Sequence, residues 1–244
     1  MQSTPDLLAA LPAFRTFTRP DGTDLTLLSA ASPSDLPPPT AAALFELTAQ
    51  NMAPLYAASG FGWDPAAKAR ELRDGAARFL LAYETKNVVT NSEATTVPQQ
   101  PPPLPTSATP AAFVHYRLEM EAGVGTLYVY EIQLAPAFRR RGLGRFLMLA
   151  LEAAAGAAGL GQLMLTVQAG NPGAAALYEG LGFATDPSSP GPGEGPGGGG
   201  PAYRIMSKRL VGGAGQAVDG AVEVVSGVGA KAGGEVRAED RVAV

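Results

Sequence analysis

Arg139-Arg140-Arg141-Gly142-Leu143-Gly144-Arg145 separates two segments of opposite periodicity. Before it, residues 126–134 (TLYVYEIQL) alternate, the period-two pattern of a half-buried strand. After it, Leu143, Phe146, Leu147, Ala150, Leu151 and Ala154 recur at helical spacing, so residues 143–155 read as a helix with one apolar face. Glycines at 142 and 144 let the backbone turn tightly and come close to a ligand. A helix start leaves several N–H groups without partners and carries the positive end of the macrodipole. With four basic residues in seven positions, such a turn suits the oxygens of a diphosphate. An import signal, a nonspecific basic patch or an ordinary glycine turn also fits this stretch alone. It is neither a Walker A loop nor a GxGxxG fingerprint.

Working outward, residues 112–120 and 78–83 read as strands, and residues 44–57 as a helix. Residues 65–77 read as a second helix, with Asp64 as N-cap and Pro65 at its first position. Downstream, 162–167 is a short buried strand, 172–180 a short helix and 202–208 a last strand. This order predicts an α/β fold, a mixed sheet with helices on both faces.

The chain has 244 residues, no cysteine and a single histidine, His115. Disulfides, thiol nucleophiles, Cys-based zinc sites and multi-His metal sites are therefore excluded. His115 is assigned no role. No apolar run is long enough for a transmembrane helix. The first twenty residues lack an apolar h-region and carry Asp6, unlike a secretory signal. A net charge of −4 argues against general nucleic-acid binding and suits a basic peptide as substrate.

Glycine (30) and proline (22) make up about a fifth of the chain, against an ordinary share of roughly 12%. The excess lies in residues 85–110, 190–201 and 211–244. The first is expected to be extended and solvated, the second a flexible loop, the third a disordered tail. One domain over 1–210, interrupted by two low-complexity inserts, is the expected organisation.

A further motif follows the strand at 162–167: Asn171-Pro172-Gly173, then Tyr178, then Gly182-Phe183. Strand, R-x-x-G-x-G, helix, strand and N-x6-Y-x3-G-F together resemble the GNAT acetyltransferase superfamily over roughly residues 44–210. Further stretches resemble the NatD-type N-alpha-acetyltransferases: Asn51-Met52 with Tyr56 and Phe61-Gly62-Trp63; Tyr128-Val129-Tyr130-Glu131-Ile132-Gln133-Leu134; Met164-Leu165-Thr166-Val167; and Asp186 with Ser188-Ser189-Pro190. That resemblance implies a GNAT fold and acetyl-CoA as cosubstrate, with no metal. It implies transfer of acetyl to the α-amine of core histones whose mature N-terminus reads Ser-Gly-Arg-Gly. It also implies a monomer found in nucleus and cytoplasm, with histone peptides as partners and no direct nucleic-acid or membrane contact. Residues 11–28 fit the family's leading strand.

Residue roles divide between chemistry and resemblance. A peptide α-amine has a pKa of roughly 7.7–8.0, so it needs only modest help from a base. Glu131, mid-strand among apolar and aromatic neighbours, is the candidate base, directly or through water; a structural carboxylate is the alternative. By plain alternation Tyr128 and Tyr130 share one face and Glu131 takes that of Val129. The two tyrosines read equally well as core. The resemblance implies that Tyr130 holds the substrate N-terminus, and gives peptide-binding roles to Tyr56, Phe61, Glu119, Tyr128, Thr166, Asp186, Ser188 and Tyr203. Glu119 and Asp186 are the carboxylates for a substrate arginine. For acetyl-CoA it implies backbone groups of Ile132, Gln133 and Leu134 at the pantetheine arm, residues Arg139, Arg140, Arg141, Gly142, Leu143, Gly144 and Arg145 at the pyrophosphate, and Asn171 along the chain. Tyr178 stands where many GNAT enzymes place the acid that protonates the leaving thiolate. Two rivals remain: a GNAT enzyme for another amine, and a non-enzymatic acyl-CoA-binding scaffold.

Overall fold

The computed structural model describes residues 11–59, 62–88, 103–191 and 200–210. Eight strands form one sheet: β1 (Thr16–Thr18), β2 (Asp24–Ala30), β3 (Arg78–Glu84), β4 (Ala112–Glu121), β5 (Val124–Leu134), β6 (Gln162–Gln168), β7 (Ala184–Thr185) and β8 (Tyr203–Arg209). Their order across the sheet is β1-β2-β3-β4-β5-β6-β8-β7. Only β5 and β6 run parallel; the other neighbours are antiparallel. Four helices, α1 (Pro38–Ser59), α2 (Pro65–Leu72), α3 (Leu143–Ala157) and α4 (Pro172–Glu179), cover it. This is the expected α/β architecture, a mixed sheet covered by helices.

The sheet is buried on both sides. Leu80 and Ala82 of β3 join Leu127, Val129, Leu147, Leu151 and Tyr178 in the core beneath α3 and α4. Phe79, Leu81 and Tyr83 point the other way, onto Leu44 and Leu47 of α1 and Leu72 of α2. A strand covered on both faces needs a continuous apolar run, which is why β3 reads FLLAY rather than alternating.

Several boundaries differ from the sequence reading. The leading stretch is a hairpin, not one strand: Pro20-Asp21-Gly22 reverses the chain, Gly22 has φ of +83°, and the Asp21 carboxylate accepts from Thr23 N. Helix α2 stops at Leu72 instead of 77. Arg73 N and Asp74 N close onto Arg70 O and Glu71 O, and the Asp74 side chain accepts from Ala76 N to make the turn into β3. Its start is as expected, with Asp64 Oδ1 accepting from Ala66 N and Ala67 N. Helix α1 begins six residues before the apolar run at Leu44 and continues through Pro54, which removes one internal hydrogen bond. The described ends of the 85–110 insert are docked, not solvated. Val88 is buried, Leu104 and Ala108 pack against the α1-side core, and Thr40 Oγ1 donates to Pro105 O. The rest of that insert, most of the Gly/Pro loop, Phe61 and the tail over 211–244 lie outside the described residues. No described helix is long and apolar enough to cross a membrane.

Candidate active site

The site is built on an irregularity in β5. His115 pairs with Glu131, but the next residue of β4, Tyr116, pairs with Val129. Tyr130 is the extra residue of a β-bulge, which shifts the alternation by one. Leu127, Val129 and Ile132 therefore face the α3 core, while Tyr128 and Tyr130 gather on the opposite side. Glu131 joins them there, bonded to α2. This corrects the expectation from plain alternation, which put Glu131 on the Val129 face.

Past the bulge, β5 leaves its parallel neighbour. The β5–β6 register ends at Val129 with Leu165, although β5 runs to Leu134 and β6 to Gln168. The two strands splay into a wedge. The tyrosines line it: Tyr128 Oη and Thr166 Oγ1 are 2.7 Å apart, and Tyr130 Oη donates to Glu119 Oε1 at 2.6 Å. Tyr203 of β8 packs on the same group with Met164 and Ile205. Tyr128, Tyr130, Glu119, Thr166 and Tyr203 are thus brought together.

Asp186 and Ser188 form their own unit after β7, where Ser188 donates backbone and hydroxyl to Asp186 Oδ1 at 2.9 and 2.6 Å. Partial burial pulls the Asp186 carboxyl up, but hydrogen bonds from Ser188 and Ser207, with Arg209 nearby, bring it below the usual range. The Asp186 backbone N–H donates to Ile205 O, which ties this unit to the strand carrying Tyr203. Tyr56 sits on α1 against Trp63, with the Lys68 ammonium 5.9 Å from its ring centre.

Glu131 is fully buried, and both of its oxygens are engaged. Lys68 Nζ donates to Oε1 at 2.7 Å and Gln133 Nε2 to Oε2 at 2.6 Å. Lys68 also holds Glu71, one turn along α2, at 2.9 and 3.0 Å. From β4, His115 lies 3.8 Å from Glu71 and stacks on Tyr130, and Arg117 sits over the Tyr130 ring, donates to Glu71 O and pairs with Asp74. Burial pushes both carboxyls up, with Lys68 opposing it in each case. Lys68 itself stays charged: burial disfavours its ammonium, but Glu131 and Glu71 outweigh that. His115 is held neutral by burial, then by Arg117 and Lys68. Sequence reasoning missed Lys68, Glu71, His115 and Arg117. The i,i+3 spacing of Lys68 and Glu71 was visible, but nothing local says that a helical lysine is buried against a strand 63 residues away.

At the mouth of the wedge, Gly142 adopts φ of +87° and precedes the first turn of α3. Gly144 lies between α4 and the end of β5, where a Cβ would stand in ordinary contact with Leu177 and Leu134. Arg140, also left-handed at φ of +59°, Arg141 and Arg145 are exposed around this turn. Arg141 pairs with Asp21 at 2.6 Å and Arg145 reaches Gly180 O at 3.3 Å. Arg139, exposed as well, donates to Leu134 O and to Asn51 Oδ1. Asn51 Nδ2 donates to Gln133 Oε1 at 2.7 Å, so an unbroken chain joins Arg139 to Glu131. Asn171 caps α4 through Oδ1, which accepts from Ala174 N. The Tyr178 ring is fully buried under the wedge; burial, then Glu131, raises its pKa, so it keeps its proton.

A helix start with glycines and exposed arginines fits a diphosphate, and a strand wedge fits an extended arm leading to Glu131. The family model described as Acetyltransferase (GNAT) family matches residues 61–183, half of the chain. The chain belongs to the GNAT acetyltransferase family. Acetyl transfer from acetyl-CoA is this family's chemistry, and no group of metal-ligating side chains exists among the described residues. The GNAT domain of S. lividans PAT is 14% identical, with a TM-score of 0.52 over 80% of this chain and 96% of that one. Arabidopsis thaliana NAA60, solved with a bisubstrate analogue, is 12% identical with a TM-score of 0.50, over 77% and 99%. The ribosomal-protein-S18-alanine N-acetyltransferase of Escherichia coli is 20% identical with a TM-score of 0.45, over 76% and 94%. At these identities the likeness is one of fold.

Proposed function

We propose that this GNAT enzyme is an N-alpha-acetyltransferase of the NatD type, acting on histones whose mature N-terminus reads Ser-Gly-Arg-Gly. The observation that carries this is the pairing of Tyr130 with Glu119 beside Glu131 in the strand wedge. It supplies aromatic surface, a carboxylate for a substrate arginine and, one residue along β5, a buried carboxylate that serves as the base. Asp186 and Ser188 flank the same end of β8 and add a second acidic group for a basic peptide. The net charge of −4 agrees with such a substrate.

In this reading acetyl-CoA supplies a thioester-activated acetyl group. Glu131 takes a proton from the substrate ammonium, directly or through a water, so that the neutral amine forms the new C–N bond. Tyr128, Tyr130 and Thr166 orient the N-terminal residue. The exposed arginines and α3 N–H groups hold the diphosphate. Tyr178, which burial keeps protonated before the reaction, is the candidate donor to the departing sulfur. The enzyme works as a monomer in nucleus and cytoplasm.

The test uses labelled acetyl-CoA with a Ser-Gly-Arg-Gly peptide, and with the same peptide blocked at its α-amine but carrying free lysines. Transfer to the first alone supports the reading. Transfer to both points to a lysine or broad amine enzyme, and CoA binding without transfer points to a binding protein.

A further inference from the structure

Glu131 is buried with a lysine that also serves another buried carboxylate. One ammonium, 6% exposed, stands between Glu131 at 0% and Glu71 at 8%. Its donors reach one oxygen of Glu131 and both of Glu71, so its direction is fixed from two sides. Its helix is anchored too, by the Asp64 cap and Pro65. Two carboxylates this close to one cation compete for it, and each makes the other harder to ionise.

We propose that Lys68 is a positioning residue for acetyl transfer: gripped by Glu71, it aims the Glu131 carboxylate into the wedge and keeps it ionised. The inference rests on the reading of Glu131 as the base. The groups around Glu131 leave Lys68 as the cation in contact. Gln133, on its own strand, is neutral. Tyr56 of α1 and Tyr178 of α4 are phenols. From β4, His115 is held neutral and Arg117 is directed at Glu71 O, Asp74 and the Tyr130 ring. Glu71 is the competing anion.

The two ends of the lysine then have opposite effects. Removing the ammonium leaves Glu131 facing Glu71 without a counter-ion, and its carboxyl takes a proton at higher pH. Neutralising Glu71 gives Glu131 the whole of Lys68, and its carboxyl loses its proton at lower pH. An opposite charge at this distance is worth about 1–3 pH units.

The experiment compares the full chain with Lys68→Met, Lys68→Arg, Glu71→Gln, Glu131→Gln and the double variant Lys68→Met/Glu131→Gln. Two quantities are read: the infrared C=O stretch of protonated carboxyl groups across pH, and the pH profile of kcat/KM with the Ser-Gly-Arg-Gly peptide. Lys68→Met is expected to show a carboxylic-acid band at neutral pH that weakens in the double variant. Its acid limb should move up by about 1–3 units, with rate recovered at alkaline pH. Lys68→Arg should keep the wild-type limb. Glu71→Gln, which is isosteric, should move the limb down even if Lys68→Met fails to fold. A limb unmoved by Glu71→Gln, or a rate lost equally at every pH in folded Lys68→Met, overturns the proposal, and so does a full rate in Glu131→Gln. If the wild type does not acetylate the peptide, the histone reading falls, while the infrared comparison still upholds or overturns the grip of Lys68 on Glu131.

Discussion

The two sides of the wedge are organised in opposite ways. On the side proposed for the acceptor, Tyr130, Glu131, Lys68, Glu71, His115 and Arg117 pack together with almost no solvent access, Lys68 bonding both carboxylates. On the side proposed for the cofactor, the turn at Gly142 presents backbone and exposed arginines whose partners, Asp21 and Gly180 O, lie at the surface. The first side is preorganised by burial, where an electrostatic contact is strong and a lost partner is costly. The second depends on backbone shape and screened charge. Damage to the acceptor side should therefore appear in kcat and in pH dependence, and damage to the loop in the KM for acetyl-CoA and in salt dependence.

Glu131→Gln is the most severe test of that division. It should lower kcat by about 10²–10⁴-fold, the usual worth of a general base, with the KM for acetyl-CoA nearly unchanged. A comparable rise in that KM would show the two sides to be one unit, joined through Gln133, Asn51 and Arg139. Next comes Tyr130→Phe, which deletes the hydrogen bond to Glu119. A bond to a charged group is worth about 1.5–3 kcal/mol, so kcat/KM for the peptide should fall roughly 10- to 100-fold. An unchanged value in steady-state assays would make the tyrosine cluster mere core. Tyr178→Phe should cost less than about tenfold in kcat, because a thiol with a pKa near 8.5 can leave as its anion. A larger loss would establish the phenol as an obligatory acid. The smallest effect is expected for Arg140→Ala. The KM for acetyl-CoA should rise about two- to five-fold, the equivalent of roughly 0.3–1 kcal/mol at a helix N-terminus. The difference from wild type should shrink as salt is added, and a salt-independent difference would argue for packing rather than charge.

Local signals were legible in the sequence. Asp64-Pro65 marks a helix start, and its cap forms as its chemistry requires; the cap that Asn171 makes on α4 was not read from the sequence, which gave Asn171 a ligand role. The basic glycine turn gave the loop, and the alternating stretch before it gave β5. The bulge was not legible. Tyr130 is neither glycine nor flanked by one, and the slip is set by pairing with β4 rather than by β5 itself. Reading straight alternation across it therefore misplaced Glu131. The charged network was hidden for a related reason. Lys68 looks like any surface lysine of a short helix until α2 is packed over the bulge. The docked ends of the 85–110 insert were missed because Leu104 and Ala108 are isolated apolar residues in a polar stretch. Only the tertiary surface beneath them gives such residues a place to bury.

The wedge has a mechanical consequence for the whole sheet. Among the described residues, the seam of strand pairing between the β1–β5 half and the β6–β8–β7 half is only four residue pairs long, from Thr126 with Gln162 to Val129 with Leu165, supplemented by bonds such as Tyr128 with Thr166 and Gly161 N to Gly125 O. Across it, the structure is stapled by the α3 core, whose side chains rest on both halves at once. A ligand lying in the opening bridges the two free lengths of strand and lengthens the seam. Occupancy should therefore be readable far from chemistry, as slower amide exchange along β6 and β8 and a higher melting temperature for the half that has the fewest ties of its own.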